Sequence, residues 1–344
     1  MRNAEDRTRK TEYGMPVVHC HPMLATLVSL LLLTQSTAVP PQYAPANADW
    51  NRPLPPFRIV GNLYYVGASD VSAYLFTTPE GLILLDTGFR ETVPLVETSL
   101  AKLGFRLQDV RLLLTSHGHF DHAGGVAGIK ARTKARFLTS PAEAPLLAAG
   151  GKGDFAFGDK ASFPAVHADG LLHDGEQVRL GGVTLVAHFT PGHTKGCTTW
   201  TTEVAEGGRS YRVVIPCSLS APGYQLVNNA SYPGIVSDFE ATITKLRSLP
   251  CDIFLGGHSW DFDLHGKLRA RAKGASENPF VDPAGYRRYL DRAEAALRKQ
   301  MEGQKGRAPQ PANRPPGTAQ DLRDEIVAMS GPGFRTARLS LLRD

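Results

Sequence analysis

Short apolar runs separated by turn residues dominate the first half of the chain. Positions 57–60, 63–66, 73–78 and 82–86 are strand-length, rich in Val, Ile, Leu, Tyr and Phe, and divided by Gly-Asn and Pro-Glu-Gly turns. They predict a β-meander. A helical pattern over 92–103 leads into the apolar run 110–115, which reads as a buried strand. Helices are expected over 125–131 and 142–149, with a strand at 137–139 between them, and 150–164 lacks any period and reads as a surface loop. The second half repeats the theme: strands at 183–189, 198–204 and 213–217, a helix over 238–249, a strand at 252–255 and a last helix over 283–299. A meander followed by alternating strands and helices, twice over, predicts an α+β fold. Two mixed sheets would pack face to face, with helices outside.

The two ends of the chain depart from this pattern. The apolar run 24–33 falls short of the roughly 20 residues a transmembrane helix needs. It has the length of a signal-peptide core, and Ser36-Thr37-Ala38 supplies a small-x-small cleavage site before Val39. Residues 1–38 are therefore expected to be leader and signal peptide, and the mature protein to be periplasmic. A globular domain over 39–300 follows. Beyond it, 301–344 turns to Gln, Gly, Pro, Arg and Ala, a composition that buries too little to offset its ordering entropy and predicts a disordered tail.

Composition narrows the partners. Lys plus Arg number 38 against 33 Asp plus Glu, a net charge of +5 spread along 344 residues. No concentrated basic face of the kind nucleic acid requires is visible. No heptad pattern or long apolar edge suggests assembly, so a monomer with no membrane contact in its mature form is expected. Of the four cysteines, Cys20 would leave with the leader. Cys197 and Cys217 flank strand-like runs joined by a Glu-Gly-Gly turn, where they could pair as hairpin neighbours, and Cys251 reads as a small core residue.

The chemistry lies at strand ends. Thr115-Ser-His117-Gly-His119-Phe-Asp121-His122 directly follows the apolar strand and sets four donor side chains within six residues. Pro191-Gly-His193-Thr and Gly256-Gly-His258 follow later strands in the same way, so only a folded chain can bring them together. Imidazole and carboxylate donors suit Zn²⁺. Six ligands exceed one tetrahedral ion and divide into two sets of three, each leaving a position open for water or substrate. That is the pattern of a two-metal hydrolase. His167, His173, His188 and His265 read as structural or surface residues.

These motifs, with Leu84-Leu-Asp86-Thr-Gly upstream, resemble the metallo-β-lactamase superfamily over about residues 50–300. The resemblance implies an αββα sandwich, with Asp86 as the buried carboxylate behind the metal loop. Glyoxalase-like and lactonase members carry a bridging Asp on the strand between the last two histidines, whereas Val213-Val-Ile-Pro-Cys217-Ser218-Leu-Ser220 has none. Members of the first β-lactamase subclass have Arg in place of His122 and a Cys ligand on that strand. Cys217 therefore stays open as a ligand or as the partner of Cys197. The stretches 192–200 and 217–226, the start Asp49-Trp-Asn-Arg-Pro and the loop 150–155 are similar to class B, subclass 3 enzymes.

That similarity implies two zinc ions, the first on His117, His119 and His193, the second on Asp121, His122 and His258. Asp121 would orient the shared hydroxide, Tyr224 would steady the oxyanion, Ser218 and Ser220 would bind the substrate carboxylate, and Phe155 and Phe157 would line the cleft. The expected function is a secreted zinc β-lactamase that opens penicillins, cephalosporins and carbapenems, with antibiotic resistance as the result. A metal-dependent lactone or thioester hydrolase is the alternative.

Overall fold

A computed structural model describes residues 48–306. The expected signal peptide and nearly all of the expected tail lie outside the described residues. A seven-stranded sheet runs in chain order: β1 (Phe57–Val60), β2 (Leu63–Tyr65), β3 (Tyr74–Thr78), β4 (Gly81–Leu85), β5 (Val110–Leu114), β6 (Arg136–Thr139) and β7 (Gly170–Leu171). Its first four strands are antiparallel and β4 to β7 are parallel. The second sheet has the order β12 (Ile253–Phe254), β11 (Arg209–Ile215), β10 (Thr198–Glu206), β9 (Val183–Phe189), β8 (Gln177–Leu180). It is antiparallel except where β11 meets β12.

The side-chain period explains the layering. Along β4, Ile83 and Leu85 face the second sheet while Leu82 and Leu84 face away, and along β5 Leu112 and Leu114 face the second sheet while Leu113 faces away. A strand apolar on both faces must be covered on both. On the inner side Ile83 and Leu85 share a core with Leu185, Ala187, Trp200 and Ile215 of the second sheet. On the outer side Leu82, Leu84 and Leu113 lie beneath α1 (Val93–Lys102) and α2 (Val126–Arg132), which bury Val96, Leu100, Val126 and Ile129. The short α3 (Ala144–Ala148) adds Leu147 to that outer core. Helices α4 (Ile235–Ser248) and α6 (Pro283–Gln304) contribute Phe239, Ile243, Tyr286 and Leu290 on the other flank. The result is the expected αββα sandwich.

Two elements depart from the sequence reading. Helix α5 (Leu264–Ala272) has no counterpart among the expected elements; it buries only Leu264 and Lys267 and carries basic side chains in its last turn. It is defined instead by its start, where the Asp263 side chain accepts from Gly266 N. The last helix runs through Gln304, past its expected end at 299 and into the expected tail, and Gln304 is buried. The disulfide Cys197–Cys217 is present, with Cα atoms 5.7 Å apart, and ties the start of β10 to the exit of β11. Cys251 is a buried free thiol that burial pushes up to about 12, which keeps it inert.

Candidate metal centre

Strands β4 and β5 end, and β10 begins, at one rim of the sandwich, and three hydrogen bonds lock this region together. Thr198 N donates to Ser116 O at 2.8 Å, and Trp200 Nε1 donates to Thr115 O at 3.1 Å. Asp86 N donates to Leu114 O at 3.0 Å. The loop after β5 and the loop before β10 thereby converge, bringing His117, His119 and His193 together with nitrogens within 4.8 Å of one another. The chain after β12 returns to the same rim with His258. Gly257 is required there, because a Cβ at that position would approach His122 Cε1 to 2.9 Å.

The hydrogen bonds behind the rings decide which nitrogen faces inward. His193 Nδ1 donates to Ser220 O at 2.7 Å, leaving a lone pair on Nε2. His119 turns Nε2 toward Asp154 Oδ2 at 3.4 Å and presents Nδ1 to His193 Nε2, only 3.0 Å away. His117 Nδ1 lies 3.0 Å from Ser116 Oγ, while its buried Nε2 has no hydrogen-bond partner among the described residues. His119 Nδ1 and His193 Nε2 are close enough to share one cation together with His117 Nε2.

The second group repeats the pattern with a carboxylate. His122 Nδ1 faces Asp86 Oδ2 at 3.3 Å, and Asp86 also accepts from Ser116 N at 2.7 Å and Ser116 Oγ at 2.8 Å. His258 Nδ1 faces Asp70 O at 3.3 Å. The inward atoms then form a near-equilateral triangle: His122 Nε2 to His258 Nε2 is 3.3 Å, and Asp121 Oδ2 lies 3.6 Å and 3.5 Å from them. Ligands about 2.0–2.2 Å from one tetrahedral ion have this mutual spacing. The donor chemistry and the orphaned His117 nitrogen fit a bound metal cation.

Electrostatics point the same way for three of the rings, whereas at His122 burial is outweighed by the Asp121 and Asp86 carboxylates, which raise it. Burial, helped by neighbouring imidazoles, holds His117 and His193 well below the usual imidazole value, and it pushes His258 down to about 4. Neutral rings are the ligand form. Burial alone would raise the Asp121 carboxyl, but His122, His258 and His119 outweigh it and keep that group ionised.

The remaining expected residues surround the first triad. Ser218 Oγ and Ser220 Oγ are 2.9 Å apart, and Ser220 Oγ lies 3.5 Å from His193 Nδ1. Phe157 meets the His119 ring edge-on at 5.0 Å, and Phe155 meets Tyr224 at 5.2 Å. Tyr224 is the exception to its expected role. Its hydroxyl donates to His193 O at 3.1 Å and its ring stacks on His193, so it positions that histidine instead of standing free for an oxyanion. The two sulfurs near His117 are joined to each other, which removes Cys217 from the ligand set.

Several supporting residues escaped the sequence reading. Glu143 accepts from Gly118 N at 2.6 Å and from Thr194 Oγ1 at 2.8 Å, coupling the loops that carry His119 and His193. Asp154 faces His119 while its other oxygen accepts from Ala156 N and Phe157 N. Gln304 Nε2 donates to Tyr224 O at 2.7 Å, and its Oε1 accepts from Leu226 N at 2.7 Å and Val227 N at 3.1 Å. Glu143 and Gln304 are lone polar residues outside the motifs, Gln304 in the expected tail, and Asp154, for which no role was read, lies in the loop 150–155.

Comparison with known proteins agrees with this geometry. The native FEZ-1 metallo-β-lactamase from Legionella gormanii is 44% identical, with a TM-score of 0.72, over 74% of this chain and 98% of that one. BJP-1, a subclass B3 metallo-β-lactamase of Bradyrhizobium japonicum, is 35% identical with a TM-score of 0.71, over 75% of this chain and 98% of that one. A hydroxyacylglutathione hydrolase of Methylobacterium sp. (strain 4-46) is 37% identical over 94 residues, 27% of this chain. The chain thus spans only 29% of the length of that curated relative. The family model described as the metallo-beta-lactamase superfamily matches residues 66–258, so this chain belongs to the metallo-β-lactamase superfamily.

Proposed function

We propose that this chain is an exported dizinc β-lactamase. The observation that carries the reading is the pair of inward-facing donor triads, His117/His119/His193 and Asp121/His122/His258. Similarity over nearly the whole length of two β-lactamases supports the choice of substrate. Zinc held there supplies a Lewis acid for the substrate carbonyl and a lowered pKa for water. Asp121, ionised at neutral pH, accepts a hydrogen bond from water entering the cluster and orients it toward the substrate. The Ser218 and Ser220 hydroxyls, paired at 2.9 Å, offer donors for the carboxylate of a β-lactam. Phe155 and Phe157 give that side of the cleft an apolar wall. Tyr224, through the His193 carbonyl and ring, keeps a ligand in place.

The proposal includes a signal peptide ending at residue 38 and a periplasmic mature protein acting as a monomer. Among the described residues no helix is long and apolar enough to cross a membrane. A thioester or lactone hydrolase is the competing reading, favoured by the partial match to hydroxyacylglutathione hydrolases. The absence of any carboxylate in Val213–Ser220 argues against it.

The test is direct. The full chain is loaded with zinc, and the ultraviolet absorbance of a carbapenem and a cephalosporin is followed with and without chelator, beside a thioester and a lactone. Chelator-sensitive loss of the β-lactam chromophores is the expected result. Turnover of the thioester or lactone alone would overturn the reading.

A further inference from the structure

We propose that Trp260, backed by Trp50, is the positioning residue of His258 and sets the metal affinity of the second triad. The inference rests on the two-metal reading above. Three of the other imidazoles have a short or charged partner behind the ring: Asp86 for His122, Ser220 O at 2.7 Å for His193, and Ser116 Oγ at 3.0 Å for His117. His119 faces the carboxylate of Asp154. Among the described residues the group behind the His258 ring is a backbone carbonyl, Asp70 O, at 3.3 Å, which is long for an N–H donor.

In compensation, the indole of Trp260 lies flat on the His258 ring, with centroids 4.2 Å apart and planes 7° from parallel. Trp50 closes the cluster edge-on, 5.5 Å from His258 and 5.3 Å from Trp260. Trp50 is itself anchored, because Asp70 N donates to Trp50 O at 3.0 Å and Ser69 N donates to Arg52 O at 2.9 Å. The backbone of His258 is fixed by its N–H to Asp261 Oδ2 at 3.1 Å. What remains free is rotation of the imidazole about its own axis, and a flat aromatic face opposes that rotation. Ring orientation is what holds Nε2 toward Asp121 and His122. An aromatic contact thus takes over the task that a hydrogen-bonded carboxylate performs for His122.

The experiment measures zinc affinity at both sites by competition with a chromophoric chelator, in the full chain and in two variants. Trp260→Leu keeps an apolar side chain but removes the flat ring, and Trp260→Phe keeps a ring. With far-UV circular dichroism unchanged, Trp260→Leu is expected to weaken one of the two zinc sites about tenfold, the low end of what losing an outer partner of a ligand costs. The other site is expected to keep its affinity, and Trp260→Phe to restore most of the loss. Two zinc ions held as tightly by Trp260→Leu as by the wild type would overturn the proposal. A wild type that holds fewer than two would instead remove the two-metal reading on which it stands.

Discussion

The two halves of the metal centre are built by different means. The His117/His119/His193 triad is made of buried rings, each at most 5% exposed, and held by polar partners on loops that leave both sheets. The Asp121/His122/His258 triad carries a carboxylate, sits nearer the surface on the His258 side, and depends partly on aromatic stacking. The first half is therefore a product of the sandwich itself, since β5 and β10 must converge for it to exist. The second half is assembled at the rim from the tip of one loop and the return of the chain after β12. Rigidity comes from the fold in the first case and from local partners in the second. Changes to individual partners should therefore be felt more strongly in the second half.

The sharpest way to break this contrast is His193→Ala, which removes a ligand from the fold-built half. It is expected to lower kcat/KM for a β-lactam by about 10³-fold or more, since several kcal/mol of charge stabilisation are lost. Zinc content should fall toward one while the melting temperature holds, as metal analysis beside a thermal melt would reveal. Next is Asp86→Asn, which replaces the carboxylate behind His122. The second half should lose roughly 10- to 100-fold in zinc affinity, read by chelator competition, with the first half little changed.

Opening the Cys197–Cys217 link by a double Ala replacement acts on the scaffold. With a sequence separation of 20 between the cysteines, it should cost about 3 kcal/mol of stability. That corresponds to on the order of 10 °C in Tm by calorimetry. Gln304→Leu is the mildest. It strands the buried Leu226 N–H and the part-buried Val227 N–H, should cost about 2 kcal/mol, and loosens Tyr224 behind His193. A rise in KM of a few-fold, by steady-state kinetics, would accompany it if Tyr224 positions the site as described.

The sequence reading reached the architecture because the strands are simple. Runs such as Leu82–Leu85 and Val110–Leu114 are apolar on both faces, and no helix pattern competes with them. The six inward-facing residues were legible because four of them are packed into one loop and the other two follow strands in the same way. Helix α5 was not legible, since it buries too little to show a period. The supporting layer was not legible either. Glu143, Asp154 and Gln304 act through geometry across the fold, and nothing in their local sequence distinguishes them from surface polar residues. For Tyr224 the resemblance implied a role at the oxyanion, and the structure adds a hydrogen bond from its hydroxyl to the His193 carbonyl that no local sequence signal announces. Ring stacking by Trp260 is similarly invisible until the chain after β12 is folded back over Trp50.

The most direct measurement is anomalous diffraction at the zinc edge from crystals of the zinc-loaded protein. The expected map has two peaks. One lies within coordination distance of His117 Nε2, His119 Nδ1 and His193 Nε2, and the other within reach of Asp121 Oδ2, His122 Nε2 and His258 Nε2. A single peak, or a second peak that excludes His258, would contradict the two-triad centre.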